Sequence, residues 1–216
     1  STANDLARLT IELIKNHPSH YEIYAERSFE YNGINQTNRN KLLWRDLSVD
    51  GVKTGYTKKA GYCLVASAKR EGMRLVSVVL GTSSDQDRMK ESQKLLSFGF
   101  RNYDTQLLYR ANSEITRLKV FYGKPDAVSI IAATDVYVTA PRGDLESAVT
   151  ELSVPKHLEA PINKNDVIGS LAVVLAGEDK VIYETDVLAA DEIREANLFG
   201  KVSDFFYLFY SELFGD

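Results

Sequence analysis

The sequence is organised around one strand-like stretch, Val49-Asp50-Gly51-Val52-Lys53-Thr54-Gly55, in a chain of 216 residues. Two more runs of β-forming residues follow it closely, at residues 62–68 and 74–80, and the second of these predicts a central, buried strand. Residues 88–98 then have the spacing of a helix, with Met89, Leu95 and Leu96 available for a core face. Together these segments predict an α/β unit that contains an antiparallel hairpin.

The segments on either side of this unit are of different kinds. Residues 1–16 have the periodicity of an amphipathic helix, whereas residues 21–47 are irregular, polar and rich in asparagine, which predicts an ordered loop region. Beyond about residue 103, short β-forming runs alternate with turn residues, as in a small all-β sandwich or barrel. These runs lie at residues 116–122, 128–132, 136–139, 149–154, 167–175 and 181–188, the last two flanking a turn at 177–180. We therefore predict three parts, at residues 1–102, 103–191 and 192–216.

The composition excludes several classes of protein. A net charge of −4 provides no broad basic surface, so nucleic acid is not an expected partner. Cys63 is the only cysteine, which excludes an internal disulfide and a cysteine-based metal cluster. The three histidines, His17, His20 and His157, have no carboxylate cluster beside them and are expected to lie on the surface or in loops. We expect no metal and no cofactor.

Lys53, Thr54 and Gly55 have the residue types of a strand that lines the active site of penicillin-recognising serine acyl-transfer enzymes. The lysine places positive charge beside an anionic ligand, the threonine hydroxyl can hydrogen-bond a carboxylate, and the glycine lets the backbone approach closely. Alone, such a tripeptide occurs by chance in about one chain in ten of this length, as an edge-strand turn with a solvated lysine. Here it follows a loop and precedes a hairpin, which is the context that the active-site strand requires.

Several stretches of the chain resemble the D-alanyl-D-alanine carboxypeptidases, which are low-molecular-mass penicillin-binding proteins that trim the terminal D-alanine from peptidoglycan stem peptides. They are Asn38-Arg39-Asn40-Lys41-Leu42-Leu43-Trp44, Val49-Asp50-Gly51-Val52-Lys53-Thr54-Gly55, Gly61-Tyr62, Leu64-Val65-Ala66-Ser67-Ala68 and Arg74-Leu75-Val76-Ser77-Val78-Val79-Leu80-Gly81. The similarity extends through the β-rich region to the terminal helix. It implies part of a penicillin-binding, serine β-lactamase-like α/β domain with an antiparallel sheet, followed by an all-β domain and a terminal amphipathic helix.

The resemblance also implies roles for individual residues. Lys53, Thr54 and Gly55 match the family's active-site strand, Arg88 matches an arginine that helps to position the substrate carboxylate, and Arg39 matches a second arginine near the cleft. Without the resemblance, Arg88 would be interpreted as a surface arginine of a helix. The implied mechanism is attack of a serine on the D-Ala-D-Ala carbonyl, departure of D-alanine and hydrolysis of the acyl-enzyme by water. β-Lactams are expected to acylate the same serine.

The nucleophile of this family is expected to lie outside the chain. The family's Ser-x-x-Lys and Ser-x-Asn motifs precede the Lys-Thr-Gly strand, and neither occurs before that strand here. The match Ser153-Val154-Pro155-Lys156 follows the strand, and its proline breaks the helix that would bring serine and lysine to one face. The chain alone is therefore expected to be an inactive, substrate-binding part. The alternatives are a non-catalytic, membrane-associated binding or scaffolding module and, more remotely, a β-lactamase.

The terminal segment has apolar residues near helical spacing. They are Leu198, Val202, Phe205, Phe206, Phe209 and Leu213. Periodicity alone leaves two interpretations open: a helix packed on the protein's own core, or a helix lying in a membrane interface through apolar burial. The segment is too short to span a bilayer. With the resemblance, we expect a peripheral protein at the periplasmic face of the bacterial inner membrane, although the sequence shows no signal peptide.

Overall fold

The computed structural model describes residues 1–175 and 181–214, without the side chains of residues 199, 203, 207, 208 and 211–214. The chain divides into two compact units, Ser1–Asp104 and Thr105–Asp216. The turn predicted at residues 177–180 lies outside the described residues.

The first unit combines short and long helices with two groups of antiparallel strands. Its helices are α1 (Ala3–Asn16), α2 (Pro18–Tyr21), α3 (Leu42–Arg45) and α4 (Asp85–Asn102), with a 3₁₀ turn at Glu22–Ala25. Its strands are β1 (Ser28–Tyr31), β2 (Ile34–Thr37), β3 (Val49–Thr57), β4 (Gly61–Arg70) and β5 (Met73–Thr82).

A three-stranded antiparallel sheet in the order β3-β4-β5 forms the centre of this unit. Side chains of β4 alternate between its two faces, as expected for a period of two residues. Leu64, Ala66 and Ala68 pack with Met89 and other residues of the α4 side. Val65 instead packs with residues of α1, α2 and the neighbouring strands. The sheet is therefore covered by helices on both faces, which explains why β4 is apolar throughout its middle.

Both long helices of the first unit begin at side-chain caps. Thr2 accepts a hydrogen bond from the backbone N–H of Asp5, and the Asp5 carboxylate accepts one from the N–H of Thr2, which forms a capping box. Ser84 caps α4 by accepting from the N–H of Asp87 at 3.0 Å. Because of this cap, α4 starts three residues before the predicted position of 88, and Arg88 lies in its first turn.

Two sequence predictions for this unit are corrected. Residues 21–47 are not an irregular loop region: they contain helical turns and the hairpin β1–β2, in which Tyr31 pairs with Ile34. Asn32 and Gly33 between them have φ of 51° and 73°, the left-handed conformations that favour Asn-Gly in a two-residue hairpin turn. The run at 74–80 is not a central strand, because β5 lies at the edge of the described sheet. The strand is apolar because helices cover both faces of the sheet. Burial of the faces does not determine whether a strand has hydrogen-bonded neighbours on both sides.

The second unit is dominated by strands. They are β6 (Tyr103–Tyr109), β7 (Glu114–Phe121), β8 (Gly123–Lys124), β9 (Ala127–Ala132), β10 (Val136–Pro141), β11 (Ala148–Ser153), β12 (Leu158–Glu159), β13 (Val167–Leu175), β14 (Val181–Ala189) and β15 (Arg194–Glu195). Six of them form one sheet in the order β11-β13-β14-β9-β7-β12, while β6 pairs with β10 and β8 with β15. The six predicted β-forming runs all contain strands. The main core of this unit is formed by aliphatic side chains, most of them from the six-stranded sheet, including Val120, Ile130, Leu171, Val187 and Ile193.

The last described element is helix α5 (Leu198–Phe214). Polar residues on one side of it contact the β-rich part of the same unit. The Asp204 carboxylate accepts a hydrogen bond from the backbone N–H of Tyr122 at 2.7 Å, and the Lys201 ammonium lies 2.6 Å from the Glu195 carboxylate. Exposed apolar side chains occupy other positions of α5, namely Leu198, Val202, Phe205, Phe206 and Phe209. Leu213 lies outside the described side chains. None of the described helices is long and apolar enough to cross a membrane.

Gly169 in β13 provides a test of the strand packing in the second unit. A Cβ at this position would lie 2.1 Å from the carbonyl oxygen of Ser153, which is backbone of the neighbouring chain segment and cannot rotate away. We expect Gly169→Ala to lower the free energy of unfolding by about 2–3 kcal/mol, as measured by urea denaturation. Gly55→Ala is the matched control, because a Cβ there meets its nearest neighbour at 3.8 Å. Equal stability of the two variants would contradict this packing.

Candidate functional site

A cleft of about 620 Å³ lies in the first unit, between β3, the start of β4, the start of α4 and the segment after β2. The residues that line it are Thr37, Asn38, Arg39, Lys41, Lys53, Thr54, Gly55, Tyr56, Tyr62, Asp85 and Arg88. The structure thus brings all five residues predicted to bind substrate, Lys53, Thr54, Gly55, Arg88 and Arg39, to the same cavity. Their roles stay predictions, whereas their common location is a property of the fold.

Strand β3 presents Lys53, Thr54 and Gly55 to the cleft in an extended conformation. Lys53 is an exposed residue, and its ammonium donates a hydrogen bond to the carbonyl oxygen of Thr54 at 2.7 Å. The Thr54 side chain is mostly buried. At Gly55 the backbone is not in the left-handed region, and a Cβ would meet only Cys63 at ordinary van der Waals distance. The protein itself therefore does not require a glycine at this position.

Arg88 is buried in the wall of the cleft, with a side chain only 7% exposed. One guanidinium nitrogen donates to the carbonyl oxygens of Gly55 at 3.1 Å and Cys63 at 3.3 Å, which are paired residues of β3 and β4. Another forms an ion pair with Asp85. A buried cation is stable only when its donors are satisfied, and these acceptors satisfy several of them. Arg88 therefore braces β3 and β4 against α4.

Asp85 and Lys41 are cleft residues that the sequence predictions did not include. The Asp85 carboxylate lies 2.8 Å from the Lys41 ammonium and also pairs with Arg88. The hydrogen bond from Lys41, together with the charge of Arg88, lowers the pKa of Asp85 below its ordinary value. The pair of Asp85 and Arg88 was detectable as an acid three residues before an arginine on a helix. The contact between Asp85 and Lys41 joins segments that are distant in the sequence, so no local sequence pattern predicts it.

Tyr56 and Tyr62 form an aromatic part of the cleft lining, with ring centroids 4.4 Å apart. They are directly paired residues at the β3–β4 turn, so the predicted hairpin contained the information needed to place them together. The guanidinium carbon of Arg88 lies 5.5 Å from the centroid of the Tyr62 ring. This part of the cleft therefore places the apolar faces of two rings beside the cationic guanidinium of Arg88.

Two asparagines hold the segment that carries Arg39 and Lys41. Asn40 is only 1% exposed; its side-chain amide donates to the carbonyl oxygen of Gly51 at 2.9 Å. The side-chain oxygen of Asn38 accepts from the backbone N–H of Asn40 at 2.9 Å. These bonds satisfy buried polar groups and fix the segment against β3. Arg39 itself is exposed, and within the described residues its side chain has no hydrogen-bond or ion-pair partner.

The start of β3 is anchored by a second charged group. The Asp50 carboxylate accepts two hydrogen bonds from Arg74, at 2.7 and 2.8 Å, and one from the Tyr21 hydroxyl at 2.7 Å. Arg74 also donates to the buried Ser67 hydroxyl at 2.8 Å. Burial raises the pKa of the Tyr21 hydroxyl, which therefore stays a donor. The network joins α2 to all three strands of the sheet, at the end of β3 that is farther from the cleft.

The chemistry of the cleft favours an anionic ligand. Four lining residues are cationic and one is an acid: Arg39, Lys41, Lys53, Arg88 and Asp85. The described residues that line the cleft include threonine hydroxyls but no serine or cysteine. Ser153, whose motif was rejected on sequence grounds, ends β11 in the second unit. The described cleft thus has the groups to bind a carboxylate but no serine or cysteine nucleophile.

Comparison with protein families yields two matches. The family model of D-alanyl-D-alanine carboxypeptidase matches residues 1–84, and the model of the penicillin-binding protein 5 C-terminal domain matches residues 103–195. D-alanyl-D-alanine carboxypeptidase DacA of Escherichia coli strain K12 is 42% identical over 219 residues, which cover 100% of this chain and 53% of that protein. DacA of Haemophilus influenzae is 39% identical over 99% of this chain and 55% of its own length.

A solved structure agrees with these matches. A crystal structure of penicillin-binding protein 5 from Haemophilus influenzae superimposes with a TM-score of 0.77 and 39% sequence identity, over 90% of this chain and 57% of that one. This chain therefore spans about half the length of the curated relatives that it matches.

The pKa of Asp85 offers a direct test of the charge arrangement in the cleft. We expect the carboxyl of Asp85 to titrate below its ordinary value of 3.8, and Lys41→Gln to raise that pKa, because the hydrogen bond from Lys41 is its largest cause. Because the pKa of Asp85 is lower in the folded state, its ionised carboxylate stabilises the fold above pH 3.8. This contribution to folding stability is lost as the pH falls through the folded-state pKa. Carboxyl-carbon NMR during acid titration would measure both midpoints. An unchanged midpoint in Lys41→Gln would show that the pair is not formed.

Proposed function

Because this chain belongs to the D-alanyl-D-alanine carboxypeptidase family, we propose that it supplies the substrate-binding part of a serine-type D-Ala-D-Ala carboxypeptidase. The intact enzyme would remove the terminal D-alanine from peptidoglycan stem peptides. The observation that carries this proposal is the convergence of Lys53, Thr54 and Arg39 on one cationic cleft beside the braced strand β3. A peptide with a free C-terminus presents the carboxylate that such a cleft would bind.

The cleft residues would have different roles in binding this peptide. Lys53 and Arg39 are exposed and would meet the ligand carboxylate directly, with the Thr54 hydroxyl beside them. The resemblance gave Arg88 a direct part in positioning the carboxylate. Its burial and its bonds to two strand carbonyls support instead a role that keeps β3 in place and adds positive potential to the wall. Gly55 would leave open the space through which the ligand backbone approaches the strand.

The acylated serine would come from outside the described cleft. In the intact protein it would attack the D-Ala-D-Ala carbonyl, release D-alanine and be freed again by water. β-Lactams would bind in the same cleft, because their carboxylate would meet the same cations, and would acylate the same serine. We propose on this basis that the 216-residue chain alone binds such ligands without cleaving them.

We also propose that α5 anchors the protein to the periplasmic face of the bacterial inner membrane. Its support is the contrast between two sides of the helix: Asp204 and Lys201 bond to the β-rich part of the unit, whereas large apolar residues remain exposed. Phe205 and Phe209 stack with centroids 6.3 Å apart and are 56% and 54% exposed. Such an apolar surface suits the boundary between headgroups and acyl chains.

A non-catalytic, membrane-associated peptidoglycan-binding or scaffolding module is the alternative. It is favoured by the lack of a serine among the described cleft residues, and disfavoured by the intact substrate strand. A β-lactamase is a weaker candidate, because the chain continues into a region that matches the C-terminal domain of penicillin-binding protein 5.

Fluorescent penicillin distinguishes the enzyme from the module. With the protein extended at its N-terminus to the length of its relatives, we expect covalent labelling that survives denaturing electrophoresis. Lys53→Gln is expected to slow labelling about 10- to 100-fold, because a charge-assisted hydrogen bond is worth about 1.5–3 kcal/mol. Lys69→Gln removes the same charge at the end of β4, outside the cleft lining, and is the control. Stoichiometric but reversible binding would instead support the module, and intact mass would establish the length of the natural protein.

Vesicle sedimentation tests the anchor. We expect Phe205→Ser/Phe209→Ser to weaken binding to phospholipid vesicles by about 100-fold or more, since burial of each phenylalanine contributes about 1.5–3 kcal/mol. Tyr137→Ser/Val149→Ser, which alters exposed apolar residues on strands of the same unit, is the matched control. Removal of all residues from Leu198 onward, which deletes α5 but keeps β15 and the buried Ile193, should release the protein completely. If the truncated protein still sediments with vesicles, the anchor assignment is wrong.

A further inference from the structure

The ion pair of Lys41 and Asp85 crosses the cleft from the segment after β2 to the first turn of α4. Its Nζ to Oδ2 distance is 2.8 Å, and the two side chains are 64% and 34% exposed. Both residues line the cleft, and neither has a role in the function proposed above. An exposed ion pair of this kind contributes little to stability, so it can open at small cost.

The same carboxylate also determines the charge that Arg88 presents to the cleft. Arg88 is largely buried, and Asp85 is its anionic partner at the cleft wall. An incoming carboxylate therefore meets an arginine whose charge is already partly compensated. It also meets Asp85, whose like charge repels it, and Lys41, whose ammonium is engaged by Asp85.

We propose that Lys41 is a carboxylate-binding residue of the cleft and that Asp85 competes with the ligand for it. The pair then sets how tightly the cleft binds a peptide with a free C-terminus. When the ligand binds, the Lys41 ammonium turns from Asp85 to the ligand carboxylate, while Asp85 stays paired with Arg88 and keeps the brace on β3. This inference rests on the proposed function, because it takes the C-terminal carboxylate of a peptide as the ligand.

The flexibility of the two side chains agrees with this exchange. Lys41 is the residue before α3, and the backbone around it is held by Asn40, so the ammonium can move at the end of a flexible stem without displacing the segment. Asp85 is held at the start of α4, where the helix N-terminus stabilises its charge independently of Lys41. Opening the pair therefore leaves each partner with a favourable environment.

The test is a titration of the 216-residue chain with an acetylated peptide that ends in D-Ala-D-Ala, monitored by the backbone amide NMR signals of Lys53, Thr54 and Gly55. The same peptide with a C-terminal amide serves as the neutral ligand. For the free acid we expect Asp85→Asn to bind about 3- to 10-fold more tightly and Lys41→Gln about 3- to 10-fold more weakly. For the amide we expect neither variant to differ from the unaltered chain.

The pair of Lys94 and Glu91 provides the matched controls. Both residues lie on α4 outside the cleft lining, and the Lys94 ammonium is 2.7 Å from the Glu91 carboxylate. Glu91→Gln and Lys94→Gln therefore change the net charge by the same amounts as the two cleft variants without altering a cleft residue. We expect both controls to bind the free acid within about 2-fold of the unaltered chain, and the effects of the cleft variants to shrink in high salt. Amide signals outside the cleft report whether each variant keeps its fold.

The outcomes separate this inference from the proposed function. If the unaltered chain does not prefer the acid to the amide, both are wrong. If it does, but Lys41→Gln binds the acid as well as the unaltered chain, only the role of Lys41 is wrong. If Asp85→Asn binds more weakly, Asp85 acts solely as the support of Arg88, and the competition is overturned.

Discussion

The buried guanidinium of Arg88 imposes the geometry of the cleft, because a cation removed from water must find acceptors for its donors. Those acceptors are the carbonyl oxygens of Gly55 and Cys63 and the carboxylate of Asp85. The first two belong to paired strands and the third to the helix, so one side chain joins three elements. Strand β3, strand β4 and α4 cannot separate at this end without leaving the guanidinium unmatched, at a cost greater than that of an exposed ion pair.

The rest of the first unit provides what this arrangement needs. The cap at Ser84 starts α4 early enough to place both Asp85 and Arg88 in its first turn. At the opposite end of β3, the Asp50 and Arg74 pair fixes the strand where it enters the sheet. Between them, Asn40 ties the neighbouring segment to Gly51. The cleft is thus surrounded by polar contacts, whereas the apolar core lies under the middle of the sheet.

Much of this arrangement was accessible from the sequence, for reasons that differ between elements. The strands β3 to β5 and the six runs of the second unit were predicted because burial of their faces leaves a periodic apolar pattern. The pairs β8–β15 and β12–β7 were not, since two-residue strands exist only through partners distant in the chain. The β1–β2 hairpin has exposed side chains and therefore no apolar alternation; its signal was the Asn32-Gly33 turn alone. In the cleft, the motif residues were predicted, while the Lys41 and Asp85 contact depends on the tertiary fold.

Two glycines of β3 are subject to different constraints. At Gly51 a Cβ would lie 2.6 Å from the Tyr21 hydroxyl oxygen, so the fold itself excludes a larger residue unless Tyr21 moves. At Gly55 the fold makes no such demand. A substitution at residue 55 would consequently alter the cleft lining without destabilising the fold. The shape and chemistry of the cleft wall can therefore change by substitution at residue 55 while the fold is kept, whereas residue 51 is not open to such change.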